Sequence, residues 1–313
     1  MTTLDWVVGA RGLLGSAVVR RLAALDAPVF SGPRIRWSTP DAEDDIRLGI
    51  AQLVAQSGDD GSWRVFWCAG VGVTGSSAES LRTEVSRFET LLQAIQGLPD
   101  AVRERGLVFV ASSAGAMFAG AHGAPFDETS TPAPLGDYGH AKLAIENAAR
   151  DFSERSGVRC LVGRIANLYG PGQSLSKPQG LISHLCRSYV NRTPLSVYVP
   201  LDTLRDYIFV DDCAALIVDS CQRLAESAPS YRVKILASGR SVSVGALLGE
   251  FRRVVSRRPE IVMGSSAVSS LQSRDLRMRS TLWPDLDHRA FTNLSDGIAR
   301  TLQDVRATVV RGG

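Results

Sequence analysis

The sequence predicts an α/β chain: a Rossmann-like, doubly wound parallel sheet with a smaller, mostly C-terminal substrate-binding lobe. Three observations lead to the doubly wound sheet. Short apolar runs alternate with segments of helical period along most of the chain. A glycine-rich turn joins the first apolar run to the first helical segment. The later apolar runs end in small residues, Ala69-Gly70 and Ser112-Ser113, at the strand ends where sheets of this kind hold ligands.

Residues 4–8, Leu-Asp-Trp-Val-Val, read as the first strand. Gly9-Ala10-Arg11-Gly12-Leu13-Leu14-Gly15 follows, and residues 16–25 continue as a helix. Glycines there allow a tight turn and let backbone approach a pyrophosphate, while the helix N-terminus faces the anion. The spacing is Gly-x-x-Gly-x-x-Gly, a variant of the usual Gly-x-Gly-x-x-Gly. Residues 27–31 read as a second strand and 34–37 as a third. Thr39 and Pro40 then mark a helix start, with the helix running to about residue 56. A buried strand is expected over 61–68, a helix over 80–96, and a strand over 107–111. Residues 158–162 read as a strand and 178–200 as irregular. Residues 204–212 lead into a helix ending near 225; a late strand covers 233–237, and helices cover 244–256 and 296–310. The expected division is a dinucleotide-binding domain over 1–166, with a returning segment at about 204–237, and a substrate lobe drawn mainly from 167–313.

The chain has 313 residues, 44% hydrophobic and 21% charged, which suits one large or two smaller globular domains. A net charge of +3 without a long basic run argues against nucleic acid as a partner. No apolar run approaches the roughly 18 residues that span a bilayer, and the first residues lack a signal-peptide pattern. The five cysteines are scattered and form no Cys-x-x-Cys or Cys/His cluster, so no metal is expected and a cytoplasmic setting is. His122, His184 and His288 have no metal-ligand spacing, and Asp211-Asp212 reads as a helix cap.

The chemistry centres on Tyr138-x-x-x-Lys142, which a helix places one turn apart on one face. A phenol with an ordinary pKa near ~10 is a poor acid-base catalyst at neutral pH. An ammonium beside it favours the phenolate, and the pair can then exchange a proton with an oxygen during hydride transfer. Lys142 is one of three lysines against thirty-two arginines, so lysine is not this chain's generic surface charge. The Asp or Glu expected about 20 residues past the glycines, to take a ribose 2′-hydroxyl, is missing. Arg34 and Arg36 lie there, and Arg11 sits inside the turn, which points to the 2′-phosphate of NADP(H) in preference to NAD(H).

Taken together, Gly9/Gly12/Gly15, Ser112-Ser113, Tyr138-x-x-x-Lys142, Arg164-x-x-Asn167-x-Tyr169-Gly-Pro-Gly172 and Arg205-Asp-Tyr-Ile-Phe-Val-Asp-Asp212 resemble the extended short-chain dehydrogenase/reductases. These are the nucleotide-sugar epimerases, dehydratases and reductases, and the likeness covers nearly the whole chain. The resemblance implies Tyr138 as the acid-base residue and Lys142 as its pKa-lowering partner and ribose holder. It implies Ser113, or Ser112, on the substrate oxygen, and Asn167 and Arg205 on the substrate diphosphate. Gly9, Arg11, Gly12, Leu13, Leu14, Gly15, Ala69 and Gly70 would hold the cofactor, and the protein would be a homodimer acting on a nucleotide sugar. Two departures stand out, and the first narrows the reaction. Ala114-Gly115 stands where the 4,6-dehydratases carry a proton-transferring Asp-Glu pair, which disfavours dehydration. Glu84 stands where many relatives have Asn, with no role that the sequence alone suggests. The expected activity is NADPH-dependent reduction of a nucleotide-linked 4-keto sugar. The alternatives are a 4-epimerase with tightly held NAD and a cofactor-binding sensor without catalysis, which the intact Tyr138-Lys142 pair disfavours. The choice of sugar and base is expected to rest on segments 173–200 and 264–283.

Overall fold

Strand β1 (Thr3–Val8) runs into the glycine turn, and helix α1 (Leu13–Ala23) leaves it. The structure, a computed structural model, describes residues 3–70, 72, 75–175, 180–228, 230–264 and 273–312. Helix α2 (Ala42–Ser57) and strand β2 (Ser62–Trp67) follow, then helices α3 (Ala78–Gln96) and α4 (Asp100–Arg103) and strand β3 (Gly106–Ser113). After a short α5 (Ala114–Met117) come α6 (Gly136–Ser156), β4 (Arg159–Ile165) and β5 (Asn167–Tyr169). The chain continues through α7 (Leu181–Asn191), β6 (Leu195–Val197), β7 (Leu204–Phe209), α8 (Val210–Ala225) and β8 (Tyr231–Leu236). It closes with β9 (Ser241–Ser243), α9 (Val244–Val254), β10 (Ile261–Met263), β11 (Asp275–Leu276), α10 (Pro284–Asp287) and α11 (Leu294–Gly312).

The chain divides into two units. The first comprises Met1–Ser113, Gly136–Arg164 and Ile217–Lys234; the second comprises Ala114–Leu135, Ile165–Leu216 and Ile235–Gly313. The segment that returns to the first unit is therefore shorter than 204–237, and residues 114–135 go with the second unit.

The central sheet has the order β1-β2-β3-β4-β8, with β1–β2 and β2–β3 parallel, as the alternation of strands and helices predicts. Its core is built from side chains such as Trp63, Trp67, Phe88, Val108 and Val110, each at most 2% exposed. Full burial of side chains of this kind is worth roughly 1.5–3 kcal/mol each. In β2 the exposure alternates at Ser62, Trp63, Arg64 and Val65, and Trp63 satisfies its indole by donating to the Val102 carbonyl at 3.0 Å. Helix α6 packs against both α3 and β3.

Three expectations fail locally. Residues 28–30 lie alongside Asp5 of β1 through a single bridge, and residues 34–37 form no strand. Pro33 precedes them, the Arg36 backbone N–H is taken by the Asp45 carboxylate at 2.9 Å, and the chain turns back as Thr39 N–H bonds the Arg36 carbonyl. Segment 178–200, expected to be irregular, carries α7 and β6. The apolar positions Ile182, Leu185 and Cys186 recur at helical spacing and are buried. Within the second unit, β7 pairs with β5 and β11 in parallel and with β9 antiparallel, and β6 pairs with β10.

Candidate functional site

The glycine turn is shaped by contacts that no side chain could share. Gly9 has φ +87°, and a Cβ on it would lie 2.8 Å from the Ala69 backbone nitrogen. A Cβ on Gly15 would lie 2.2 Å from the Gly9 carbonyl oxygen, which itself accepts from Gly12 N–H at 2.9 Å. The turn therefore sits directly against Ala69 at the end of β2. Helix α1 starts from Gly12 with no side-chain cap and no acidic residue in its first turn. Orphan N–H groups and the positive end of the helix dipole suit an anion there, so the residues present fit a dinucleotide pyrophosphate. Arg11 is exposed in the turn, and Arg34 is exposed beyond residues 28–30.

Arg36 is placed differently from expectation. Its guanidinium bonds both oxygens of Asp45, at 3.0 and 2.8 Å, and Asp41 at 2.8 Å. The Asp45 hydrogen bonds raise its pKa further above the ordinary arginine value. The arginine fastens the 36–45 segment instead of standing ready for a phosphate. Asp41 and Asp45, five and nine residues along the chain, were the readable signal.

Tyr138 and Lys142 come from α6. The buried positions of this helix, among them Lys142, Ile145, Glu146, Ala149 and Phe152, fall on one face, so two charged groups enter an otherwise apolar stripe. Each is paired. Lys142, 7% exposed, places its ammonium 5.9 Å from the Tyr138 ring centre and bonds Glu84 Oε1 at 2.8 Å. Burial works to lower the Lys142 pKa. The negative charge of Glu84 and the neighbouring Tyr138 and Glu146 outweigh it and hold the pKa above the ordinary lysine value, so the group is an ammonium at neutral pH. One turn further on, Glu146 takes Arg164 in a forked pair, with Nη2 at 2.8 Å and Nε at 3.2 Å from each oxygen.

The two serines of β3 part company. Ser112 is buried and donates to Glu146 Oε1 at 2.5 Å, while Ser113 is half-buried at the strand end. Successive residues of a strand face opposite sides, so one adjacent serine joins the frame and the other is left at the edge. Tyr138 is half-buried, and His140 is exposed on another face. Ala114 and Gly115, in the short α5, offer no proton-transferring group.

In the second unit, Asn167 of β5 stands opposite Tyr207 of β7 and hydrogen-bonds it. Burial pushes the Tyr207 phenol up to about 12, with Arg205 and Asn167 opposing. Arg205, 7% exposed and two residues before Tyr207 on the same strand face, donates to the Leu204 carbonyl at 2.8 Å. Burial pulls its pKa below the ordinary arginine value, against the charges of Tyr207 and Asp275. Of the segments expected to choose the sugar, residues 176–179 and 265–272 lie outside the described residues. Among the described residues, no group of three His, Cys, Asp or Glu side chains could hold a metal, and no helix is long and apolar enough to cross a membrane.

Comparison with known proteins shows the family and the fold. Residues 6–235 match the model of the NAD dependent epimerase/dehydratase family, and the chain belongs to that family. It is similar to the dTDP-4-dehydro-6-deoxyglucose reductase of Escherichia coli, at 23% identity over 199 residues. That match covers 64% of this chain and 61% of the relative, less than two thirds of its length. Among solved structures, the UDP-glucose 4-epimerase of Thermotoga maritima with UDP-glucose superposes with a TM-score of 0.77 at 20% identity, covering 98% of this chain and 100% of that one. RMD from Pseudomonas aeruginosa, complexed with NADPH, gives a TM-score of 0.77 at 21% identity and coverages of 98% and 99%. At these identities the structural matches speak to the fold, a parallel sheet with flanking helices.

Proposed function

We propose that this member of the NAD dependent epimerase/dehydratase family is an NADPH-dependent reductase of a nucleotide-linked 4-keto sugar. The observation that carries the reading is one compact unit holding both an anion-ready glycine turn and a buried, charged Lys142 beside Tyr138. A reduced nicotinamide, when bound, supplies the hydride. Tyr138 delivers its proton to the carbonyl oxygen as negative charge develops on it, and Ser113 donates a hydrogen bond to the same oxygen. Lys142 bonds Glu84 alone among the described residues. An ammonium has three donors, so others remain for ribose hydroxyls. Arg11 and Arg34 are the groups for a 2′-phosphate, since the Asp or Glu expected about 20 residues past the glycines is missing. Asn167 and Arg205, on the second unit, are assigned to the substrate diphosphate. Dehydration is disfavoured by Ala114-Gly115.

Escherichia coli dTDP-4-dehydro-6-deoxyglucose reductase supplies the probe. Purified protein is incubated with dTDP-4-dehydro-6-deoxyglucose and either NADPH or NADH, and with UDP-glucose without added cofactor. The reading expects one NADPH oxidised per sugar reduced, with NADH distinctly poorer. Interconversion of UDP-glucose with no net cofactor use, by protein that retains NAD, would replace it with the 4-epimerase reading.

A further inference from the structure

Glu84 lies outside every role assigned so far, yet three features of the first unit converge on it. It sits on the buried face of α3 at 8% exposure, in a position that carries a charge only if the charge is answered. Its Oε1 takes the Lys142 ammonium at 2.8 Å, and its Oε2 takes the Gly72 backbone N–H at 3.0 Å. The loop after β2 is kept bare to allow this. A Cβ on Gly70 would lie 2.9 Å from Glu84 Oε1; one on Gly72 would lie 3.0 Å from Oε2, 2.6 Å from Leu81 and 3.5 Å from the Tyr138 ring. A single carboxylate thus ties together the helix carrying Tyr138 and Lys142 and the loop that begins at Ala69.

We propose that Glu84 is a positioning residue that clamps Lys142 between Tyr138 and the glycines Gly70 and Gly72. By offsetting the pull of that ammonium on the Tyr138 oxygen, it favours the proton-donating phenol and so the reducing direction. The inference rests on the reductase reading for its direction of reaction, but not for the clamp itself.

The electrostatics around Lys142 are simple enough to test. From α3 it faces Glu84. From its own helix it faces Tyr138 and Glu146, and the Glu146 charge is answered by Arg164. Strand β3, which packs against α6, carries no titratable side chain among Val108–Ser113, while Asp137 and His140 are exposed on α6. Replacing Glu84 by a neutral isostere therefore leaves an ammonium without its direct counter-charge. An opposite charge at this range shifts a pKa by about 1–3 units.

With only three lysines in the chain, side-chain NMR of lysine-labelled full-length protein resolves Lys142, assigned by its loss in Lys142→Met. In wild type its titration midpoint should lie above that of an ordinary lysine. In Glu84→Gln it should fall by at least about 1 unit, whereas Glu84→Asp, which keeps the charge, should hold most of it. The alkaline limb of NADPH-dependent reduction of dTDP-4-dehydro-6-deoxyglucose should move toward lower pH in Glu84→Gln by a comparable amount, with KM for the sugar little changed. A wild-type Lys142 titrating at or below the ordinary lysine value overturns the proposal even if Glu84→Gln fails to fold. So does a Glu84→Gln protein whose Lys142 midpoint stays in place, or whose activity falls equally at every pH. If the lysine shifts as expected while neither protein reduces the sugar, the reductase reading fails and the clamp stands.

Discussion

Lys142 and Glu146 lie four residues apart on the buried face of α6, and each meets an opposite charge on another element. The two pairs are built differently. Glu146 receives Nε and Nη2 of Arg164 and the Ser112 hydroxyl, so both its oxygens are filled. Among the described residues Lys142 makes one hydrogen bond, to Glu84, out of an ammonium's three donors. Both pairs are nearly excluded from water, with side-chain exposures of 6%/3% and 9%/8%. Desolvation costs are therefore similar, and what differs is how completely each charge is answered. A carboxylate filled on both oxygens fastens β3, β4 and α6 together. The Lys142–Glu84 pair stands instead beside a phenol, where the proposed proton transfer takes place.

The sharpest way to break the comparison is to remove one oxygen from the working side. Tyr138→Phe takes away the ionisable group and leaves the ring that packs at Lys142. Turnover with NADPH and the keto sugar should fall by about 10²–10⁴, while NADPH affinity, read by fluorescence titration, stays near wild type. Near-normal turnover would take Tyr138 out of the acid-base role.

The same test on the framing side should act on stability instead. Glu146→Gln leaves the buried Arg164 charge uncompensated, and breaking such a pair costs about 3–5 kcal/mol. The urea midpoint should drop accordingly, while turnover per folded molecule falls far less than in Tyr138→Phe. A variant that keeps wild-type stability but loses turnover would move Glu146 to the working side and erase the distinction.

How far the sequence could be read follows the same division. The glycine turn, the strand ends and Tyr138-x-x-x-Lys142 were legible because each is local: its meaning lies within a few residues and a known period. Glu84 was legible only as a departure, because its partner stands fifty-eight residues away on another helix, and spacing carries no trace of that meeting. Ser112 and Ser113 could not be told apart for a related reason. Strand alternation says they face opposite ways but not which side holds Glu146. Arg36 failed in the other direction, since Asp41 and Asp45 were close enough in sequence to be weighed. The strand expected over 34–37 failed with it, because the same carboxylate takes the Arg36 backbone N–H.

The smallest expected effect sharpens the comparison by adding a third carboxylate, in the second unit. Glu128 accepts from Ser280 Oγ at 2.6 Å, Thr281 N at 2.7 Å, Thr281 Oγ1 at 2.8 Å and Ile235 N at 2.9 Å. Like Glu146 it is filled, but by neutral donors instead of an opposite charge. Burial works to raise its pKa, but the bonds from Ser280, Ile235 and Thr281 outweigh it and hold the carboxyl below the usual range. A folded-state pKa below the unfolded one contributes stability that is fully present above the unfolded value, near ~4.3, and is lost as pH falls through the folded value. At pH 7, Glu128→Gln should therefore cost about 1–3 kcal/mol, the range for hydrogen bonds to a charged group. Because the glutamine does not titrate, its deficit against wild type should shrink as the pH is lowered below the unfolded value. Urea midpoints of both proteins, taken at neutral pH and stepwise into the acid range, check this. A deficit independent of pH would mean that shape and packing, not the carboxylate charge, hold residues 280–281 in place.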